Sequence, residues 1–406
     1  MKKTIILAIA TLAMMGCHKK ETFTYNVDKF YDLEILRFKV PGFEQLSLQQ
    51  KTMLYYLNEA ALYGQDIVYD QNCRYNLRIR RALEHVYLNY TDKQDEQFLL
   101  MEKYLKRVWF SNGIHHHYAE EKFLPEFSRE WFEKALATTG KKLNTEVLDV
   151  MFCPNLMFKR MNTADGVDLI QTSAGNYYGE GVTQAEAEAW YEAHKDNSEA
   201  PLWIGLNSQL VKENGQIVER VYKVGGLYSA ALEKVVENLE MAIQYAETDI
   251  QREAIQHMIN FNKTGDLAEF NAYCIAWVKD LDSRVDFVNG FTETYSDPLG
   301  ITGTWESLTN FKDLEGTKRA QLISQNAQWF EDNSTTDKKY KKEEVKDAKY
   351  VTIDEFEKMA KENKIVKSVY ERYKKLNIEK YFPNILIQIL LSKYQLKVEL
   401  PSIHIC

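Results

Sequence analysis

The sequence predicts a mixed α+β fold that is mainly helical and contains a small β region. Apolar and aromatic residues recur at helical spacing from residue 47 to about 90, and again over 232–246. A β hairpin is predicted over 209–222, where Asn214-Gly215 separates two runs of β-branched residues and can adopt the positive φ angles of a tight turn. Together these segments predict packed helices with at least one hairpin.

Two helix starts carry the pattern of a capping box, in which a hydroxyl side chain and a side chain three residues later satisfy the first backbone N–H groups. The pairs are Ser47 with Gln50 and Thr183 with Glu186. The second follows the glycine-punctuated segment 173–181, which we interpret as a loop and a candidate cleft wall.

The charge balance argues against a nucleic-acid partner. The chain has 406 residues, of which 45% are hydrophobic, so a large buried core is expected. Its 51 basic and 59 acidic residues are well mixed and give a formal charge of -8. No concentrated positive field is available to neutralise phosphates.

The first seventeen residues resemble an export signal of the bacterial lipoprotein type. Lys2 and Lys3 precede an apolar run over 5–15, which is too short to span a bilayer, and Gly16-Cys17 follows at the exit. We therefore expect an exported protein anchored to the bacterial cell envelope by a lipid on Cys17, facing the periplasm. The alternative is an ordinary signal with an incidental cysteine.

Composition divides the rest of the chain into three parts. Residues 18–29 are polar and predict a tether, and 30–330 predict the globular body. Residues 331–406 comprise a lysine-rich linker and a tail, in which Thr352 caps a predicted amphipathic helix. The apolar run 385–391 is too short to cross a membrane and is interpreted as a buried strand.

Most catalytic signatures are absent from the sequence. No histidine is followed by glutamate, as H-E-x-x-H zinc sites require, and the glycine-rich nucleotide and G-x-S-x-G hydrolase motifs are missing. Consecutive His115, His116 and His117 point in divergent directions, so a polar loop is favoured there over a metal site. The four cysteines after Cys17 form no C-x-x-C pair and predict mostly buried free thiols.

The densest polar segment is 286–300. Glu293, Tyr295 and Asp297 alternate there, so an extended chain would project all three to one side. Such a face could capture the terminal ammonium of a peptide through charge-assisted hydrogen bonds. The alternative is a solvated strand that leads into an Asp-Pro turn.

The segment Asn289-Gly-Phe-Thr-Glu-Thr-Tyr-Ser-Asp-Pro-Leu-Gly300 resembles the G-F-I-E-x-Y-x-D-P-x-G stretch of the dipeptidyl peptidase III family. That family comprises zinc exopeptidases that release dipeptides from peptide N-termini. Further collinear matches extend the resemblance over roughly 30–330 and about half of a family member. They are Val108-Trp-Phe-Ser-Asn-Gly113, Lys122-Phe-Leu-Pro125, Asn176-Tyr-Tyr178, Gly205-Leu-Asn-Ser208 and Lys234-Val-Val-Glu-Asn-Leu239.

The resemblance implies a two-lobed fold whose lower lobe mixes helices with a small β-barrel, and this chain would supply mainly that lobe. It assigns Glu293 and Tyr295 to binding of the peptide N-terminus and backbone. Asn176, Asn112 and Gly113 are implied as further substrate-binding residues. Short peptides are therefore the expected ligands, and the envelope membrane is the expected partner of the lipid.

The resemblance also implies a zinc ion in a full-length member, held by H-E-x-x-G-H and E-E-x-x-x-D motifs. Neither motif occurs in this sequence, and the residues after about Asp347 are expected to no longer resemble the family. We therefore expect a truncated chain without its own cofactor, catalytic residues or peptide turnover. The alternatives are a non-catalytic envelope peptide-binding lipoprotein and a non-functional fragment.

Overall fold

The structure is a computed structural model that describes residues 23–198 and 200–345. These residues form two compact units, 23–41 and 42–345. The smaller unit is an antiparallel hairpin of β1 (Asn26–Phe30) and β2 (Leu33–Leu36). Strand β1 thus begins inside the stretch predicted as a tether. The predicted signal with Cys17, and the tail from residue 346, lie outside the described residues.

The larger unit is mainly helical, as predicted. Its helices are α1 (Leu48–Tyr63), α2 (Gln65–Asn72), α3 (Asn76–Asn89), α4 (Glu96–Phe110), α5 (Arg129–Thr138), α6 (Thr145–Phe152), α7 (Gln184–His194), α8 (Ser229–Ala242), α9 (Asp249–Thr264), α10 (Leu267–Lys279), α11 (Leu314–Gln325) and α12 (Ala327–Asn333). Its strands are β3 (Ser208–Glu213), β4 (Gln216–Val221), β5 (Val285–Glu293) and β6 (Thr304–Phe311). None of the helices in the described ranges is both long and apolar enough to cross a membrane.

The locally encoded features are confirmed. Both capping boxes form, at the starts of α1 and α7. Strands β3 and β4 pair in register around Asn214 and Gly215, whose φ angles are 50° and 81°. The helix predicted over 232–246 is α8, which continues into a short 3-10 turn, Ile243–Tyr245.

The small β-barrel implied by the family resemblance is not closed in the part of the chain that the structure describes. The strands form three separate two-stranded antiparallel sheets, β1–β2, β3–β4 and β5–β6. A barrel requires each strand to have a paired neighbour on both sides, and here each strand has one. The hairpin part of the prediction is therefore confirmed, and the barrel part is corrected.

Two large hydrophobic cores hold the helical unit together. The first joins α3, α4, α5 and α6, and the second joins α1, α8, α9 and α10 to the β5–β6 sheet. Helix α2 contributes Tyr69 to the first core and Ile67 to the second. A helix that is buried in two cores is a rigid platform, because interiors are packed too densely to yield.

The described cysteines Cys73, Cys153 and Cys274 are free thiols. Only Cys73 is fully buried, whereas the other two are partly exposed. The prediction of free thiols is therefore confirmed for these three, and the prediction that most of them are buried is corrected.

Candidate functional site

A pair of carboxyl groups lies at one end of the β5–β6 sheet. Glu293 is the last residue of β5 and pairs with Thr304, while Glu306 on β6 lies opposite Gly290. The register shifts between Phe291 and Glu293, which is the signature of a bulge that re-aims a side chain. The strand pairing brings the carboxyl group of Glu293 close enough for its charge to act on Glu306.

Burial and the neighbouring charge of Glu293 raise the pKa of Glu306 to about 7. The Thr292 hydroxyl opposes this shift by donating a hydrogen bond to Glu306 Oε2 at 2.8 Å. Near neutral pH the Glu306 carboxyl group is therefore only partly ionised, and a cation bound beside it would favour its ionised form. Sequence reasoning missed Glu306, and no local motif marks it, because only the strand pairing brings it to Glu293.

Tyr295 lies two residues after Glu293 in the chain, and it is 63% exposed. Partial burial raises the pKa of its phenol, and the charges of Glu293 and Glu306 raise it further. The positive charge of Arg160 acts in the opposite direction. Tyr295 is thus influenced by an acidic pair and a guanidinium at once, and its protonated hydroxyl can donate a hydrogen bond.

Asp297 does not share the face of Glu293 and Tyr295, which corrects the sequence prediction. The chain leaves β5 at Glu293 and turns, so the alternation expected for an extended strand is lost. The Asp297 carboxylate is 2% exposed and accepts hydrogen bonds from the turn that follows and from the Tyr178 hydroxyl at 3.0 Å. Its role is to hold the Asp-Pro turn.

The C-terminal end of α2 connects the other predicted residues to this sheet. The Gln71 side chain donates to the Gly303 carbonyl at 3.0 Å and accepts from the Trp305 N–H at 2.8 Å, which fixes the start of β6. The Gln71 carbonyl accepts from the backbone N–H of Asn176 at 2.7 Å. One residue therefore ties the Asn176 loop to the strand that carries Glu306.

The Asn176 side chain is itself held in place. Its amide donates to Asp70 Oδ2 at 2.9 Å, and the same oxygen accepts from the Tyr228 hydroxyl at 2.8 Å. Gln209 donates to the Asn176 carbonyl at 2.8 Å. A side chain with its orientation fixed in this way is pre-organised for binding.

Asn112 and Gly113 form a turn after α4 that also touches the end of α2. The Asn72 amide donates to the Asn112 carbonyl at 3.1 Å. Asn112 and Gly113 have φ angles of 50° and 146°. Asp70, Gln71 and Asn72 thus contact the Asn176 loop, β6 and this turn respectively. The signal in the sequence is a run of three polar residues between the buried Tyr69 and Cys73.

Replacement of Gly113 by alanine is expected to destabilise the fold by about 3 kcal/mol, because the turn would be both strained and overpacked. A Cβ there would lie 2.1 Å from Asn76 Nδ2. Gly140→Ala is the matched control, since Gly140 has a φ of 78° and open space around it, so only about 1 kcal/mol of backbone strain is expected. Urea unfolding of both variants measures the difference in the free energy of unfolding. Equal losses in the two variants would contradict the predicted overlap of the new Cβ with Asn76.

The histidine run forms no metal cluster. The ring of His115 is buried and lies 2.7 Å from the Met157 carbonyl oxygen, and burial lowers the pKa of His115 to about 4. Within 23–198 and 200–345, no group of three metal-ligating side chains could hold an ion. The residues of the described part therefore do not fit the zinc ion that the family resemblance implies, and they support no metal-dependent step.

The comparisons with known proteins identify the family. The model of peptidase family M49 matches residues 168–399, and the chain therefore belongs to this family. The matched range continues past Asp347, so the prediction that the family resemblance stops near that residue is wrong. The resemblance inferred from the sequence motifs is confirmed.

Individual relatives agree with this assignment. The chain is 22% identical to "Dipeptidyl peptidase 3" of Dictyostelium discoideum, over 64% of this chain and 40% of that protein. It is 22% identical to the protein of the same name from Homo sapiens, over 65% of this chain and 42% of that protein. The chain spans about two fifths of the length of these curated relatives.

A solved structure supports the fold. The dipeptidyl peptidase III of Caldithrix abyssi superposes with a TM-score of 0.51 at 17% identity, covering 74% of this chain and 47% of that chain. At this identity the likeness concerns the fold alone. It agrees with the mainly helical lobe that the resemblance predicted.

Proposed function

We propose that this chain binds short peptides by their free N-terminus, as the peptide-binding part of a dipeptidyl peptidase III-type exopeptidase that releases N-terminal dipeptides. The observation that carries the proposal is the pair of carboxyl groups, Glu293 and Glu306, which the β5–β6 pairing brings to one end of the sheet. Two close carboxylates repel each other when both are ionised, and a cation between them relieves that repulsion. A terminal ammonium has three N–H donors and can bind both groups.

Other polar groups of the candidate site could bind the backbone of the peptide beyond its terminal ammonium. The hydroxyl of Tyr295 can donate to a peptide carbonyl, and its raised pKa keeps it protonated at neutral pH. The fixed loop of Asn176 and the turn of Asn112 and Gly113 supply further polar groups for the peptide backbone. We thus propose charge recognition by Glu293 and Glu306, and recognition of the peptide backbone by the other predicted residues.

Hydrolysis is not assigned to the described residues. The zinc motifs of the family do not occur in the sequence, so peptide capture is the function that this chain's own residues support. A second candidate is a non-catalytic peptide-binding lipoprotein of the bacterial envelope, favoured by Gly16-Cys17 after the apolar run 5–15. The intact mass and metal content of the native protein separate the two candidates: a mass well above that of this chain, with one zinc, favours the exopeptidase, whereas the mass of the chain after Cys17 plus lipid, without zinc, favours the lipoprotein.

The proposal is tested by comparing tetra-alanine with N-acetylated tetra-alanine in calorimetric titrations at pH 7. We expect the free amine to bind roughly 10- to 100-fold more tightly, because the ammonium group can make charge-assisted hydrogen bonds to the carboxylates that the acetylated nitrogen cannot. Glu293→Gln is expected to remove most of this preference. Glu219→Gln, at an exposed position on β4, is the matched control and should retain it. Equal affinities for both peptides, or no binding, would overturn the proposal.

A further inference from the structure

Arg160 lies at the centre of the polar contacts behind the proposed peptide site. Its guanidinium forms a two-pronged ion pair with Glu120, with Nε 2.6 Å from Oε2 and Nη2 bonded to Oε1. The two side chains are only 12% and 18% exposed. An arginine and a carboxylate held in this geometry fix each other's position, because both planar groups are satisfied at once.

The same guanidinium reaches the end of α2. Arg160 Nη1 donates to Asn72 Oδ1 at 3.2 Å, and the Asn72 amide donates to the Asn112 carbonyl at 3.1 Å. One side-chain amide therefore connects Arg160 to the turn of Asn112 and Gly113. Because α2 is buried in both cores, this connection has a rigid support.

The backbone of Arg160 extends these contacts to two further segments. Its N–H donates to the Glu120 carbonyl at 2.8 Å, which holds the turn that follows the histidine run. Its carbonyl accepts from the N–H of Gly175 at 3.0 Å, directly before Asn176. Arg160 thus contacts Glu120, Gly175 and the end of α2 directly, and it reaches the 112–113 turn through Asn72.

We propose that Arg160 is the positioning residue of the peptide site, fixing the Asn112 turn and the Asn176 loop relative to each other through Asn72, Glu120 and its own backbone. This inference rests on the proposed peptide-binding function and deepens it. Arg160 acts on the groups that face the peptide backbone, whereas Glu293 and Glu306 act on the terminal ammonium. The two roles are therefore separable by experiment.

The pKa of Tyr295 responds to Arg160 in one direction and to Glu293 and Glu306 in the other, which agrees with their separate roles. The charge of Arg160 lowers the pKa of the Tyr295 phenol, against the stronger effects of burial, Glu293 and Glu306 that raise it. Glu120 also raises it, but less than Arg160 lowers it. Loss of the whole ion pair should therefore raise the pKa of Tyr295.

The test uses the full chain with the double substitution Glu120→Gln and Arg160→Met. Removing both charges together avoids stranding one buried charge, which would threaten folding. We expect the affinities for tetra-alanine and for its N-acetylated form both to fall about tenfold, with their ratio unchanged. The matched control removes a more exposed ion pair between α5 and α6 through Arg129→Met and Asp149→Asn, and should leave both affinities within about twofold.

A second variant, Arg160→Lys, keeps the inference testable if the double variant folds poorly. Arg160→Lys keeps the charge but loses the two-pronged geometry, so the pKa of Tyr295 should be retained while both affinities fall severalfold. The phenol is titrated by ultraviolet difference against the same variant carrying Tyr295→Phe. In the double variant the pKa of Tyr295 should rise.

The outcomes are distinct. Unchanged affinities in a cooperatively unfolding double variant, or an unchanged titration of Tyr295, would overturn the positioning role of Arg160. A collapse of the preference for the free amine would also overturn it, because that preference belongs to Glu293 and Glu306. If the proposed function itself is wrong, the unsubstituted chain will already show no preference for the free amine.

Discussion

Replacement of Glu306 by glutamine is expected to stabilise the fold at pH 8 and to weaken the binding of a free peptide N-terminus. The pKa of Glu306 in the folded chain is about 7, above the ordinary value of 4.5. A carboxyl group with a raised pKa costs stability as the pH rises from its unfolded value to its folded value. The cost is therefore absent well below pH 4.5, grows between 4.5 and 7, and is constant above 7, at about 3 kcal/mol.

Glutamine carries no charge at any of these pH values, so the variant should escape this cost. Urea unfolding at pH 8 should show a gain of about 2–3 kcal/mol over the parent chain, and the gain at pH 5 should be under about 1 kcal/mol. Glu219→Gln should show no such pH-dependent gain. A gain for Glu306→Gln that is the same at pH 5 and pH 8 would contradict the raised pKa.

The same substitution should cost about tenfold in affinity for tetra-alanine at pH 7, because one charged partner of the ammonium is lost. The variant would therefore be more stable and less able to bind. Such opposite effects are expected where binding requires charges that the fold alone would not favour.

The second large effect is expected for Asp297→Ala, which should lower the free energy of unfolding by about 4 kcal/mol or more. The carboxylate accepts from the N–H groups of Leu299, Ile301 and Thr302 at 3.1, 2.8 and 2.8 Å. With the Tyr178 hydroxyl, four donors would lose their acceptor, and several of them are buried. Thermal unfolding followed by circular dichroism measures the loss.

Asp282→Ala is the control for this experiment, because Asp282 is exposed shortly before β5. It should change stability by no more than about 0.5 kcal/mol. Asp297→Asn keeps one oxygen acceptor and should fall between the two. A loss for Asp297→Ala as small as that for Asp282→Ala would show that the turn does not depend on this carboxylate.

The features that the sequence predicted correctly are local. A capping box needs a hydroxyl and an acceptor three residues apart, and a tight hairpin needs residues such as Asn214 and Gly215 that tolerate positive φ. Both are complete within a few residues. The family resemblance likewise rests on short motifs, each readable without knowledge of the fold.

The features that it missed depend on contacts between distant residues. Glu306 meets Glu293 only through strand pairing, and Gln71 meets Trp305 across 234 positions. The error at Asp297 has a different cause: the alternation of side chains assumed an extended chain, but the strand ends at Glu293. The barrel was implied by the family and not by any pattern in the residues.

The most direct test of the central claim is a crystal structure of the chain with tetra-alanine bound at millimolar concentration. The account predicts the terminal ammonium within about 3.2 Å of carboxylate oxygens of both Glu293 and Glu306, with the first carbonyl directed towards Tyr295. A peptide bound in the opposite direction, or at a site remote from these two carboxylates, would contradict it.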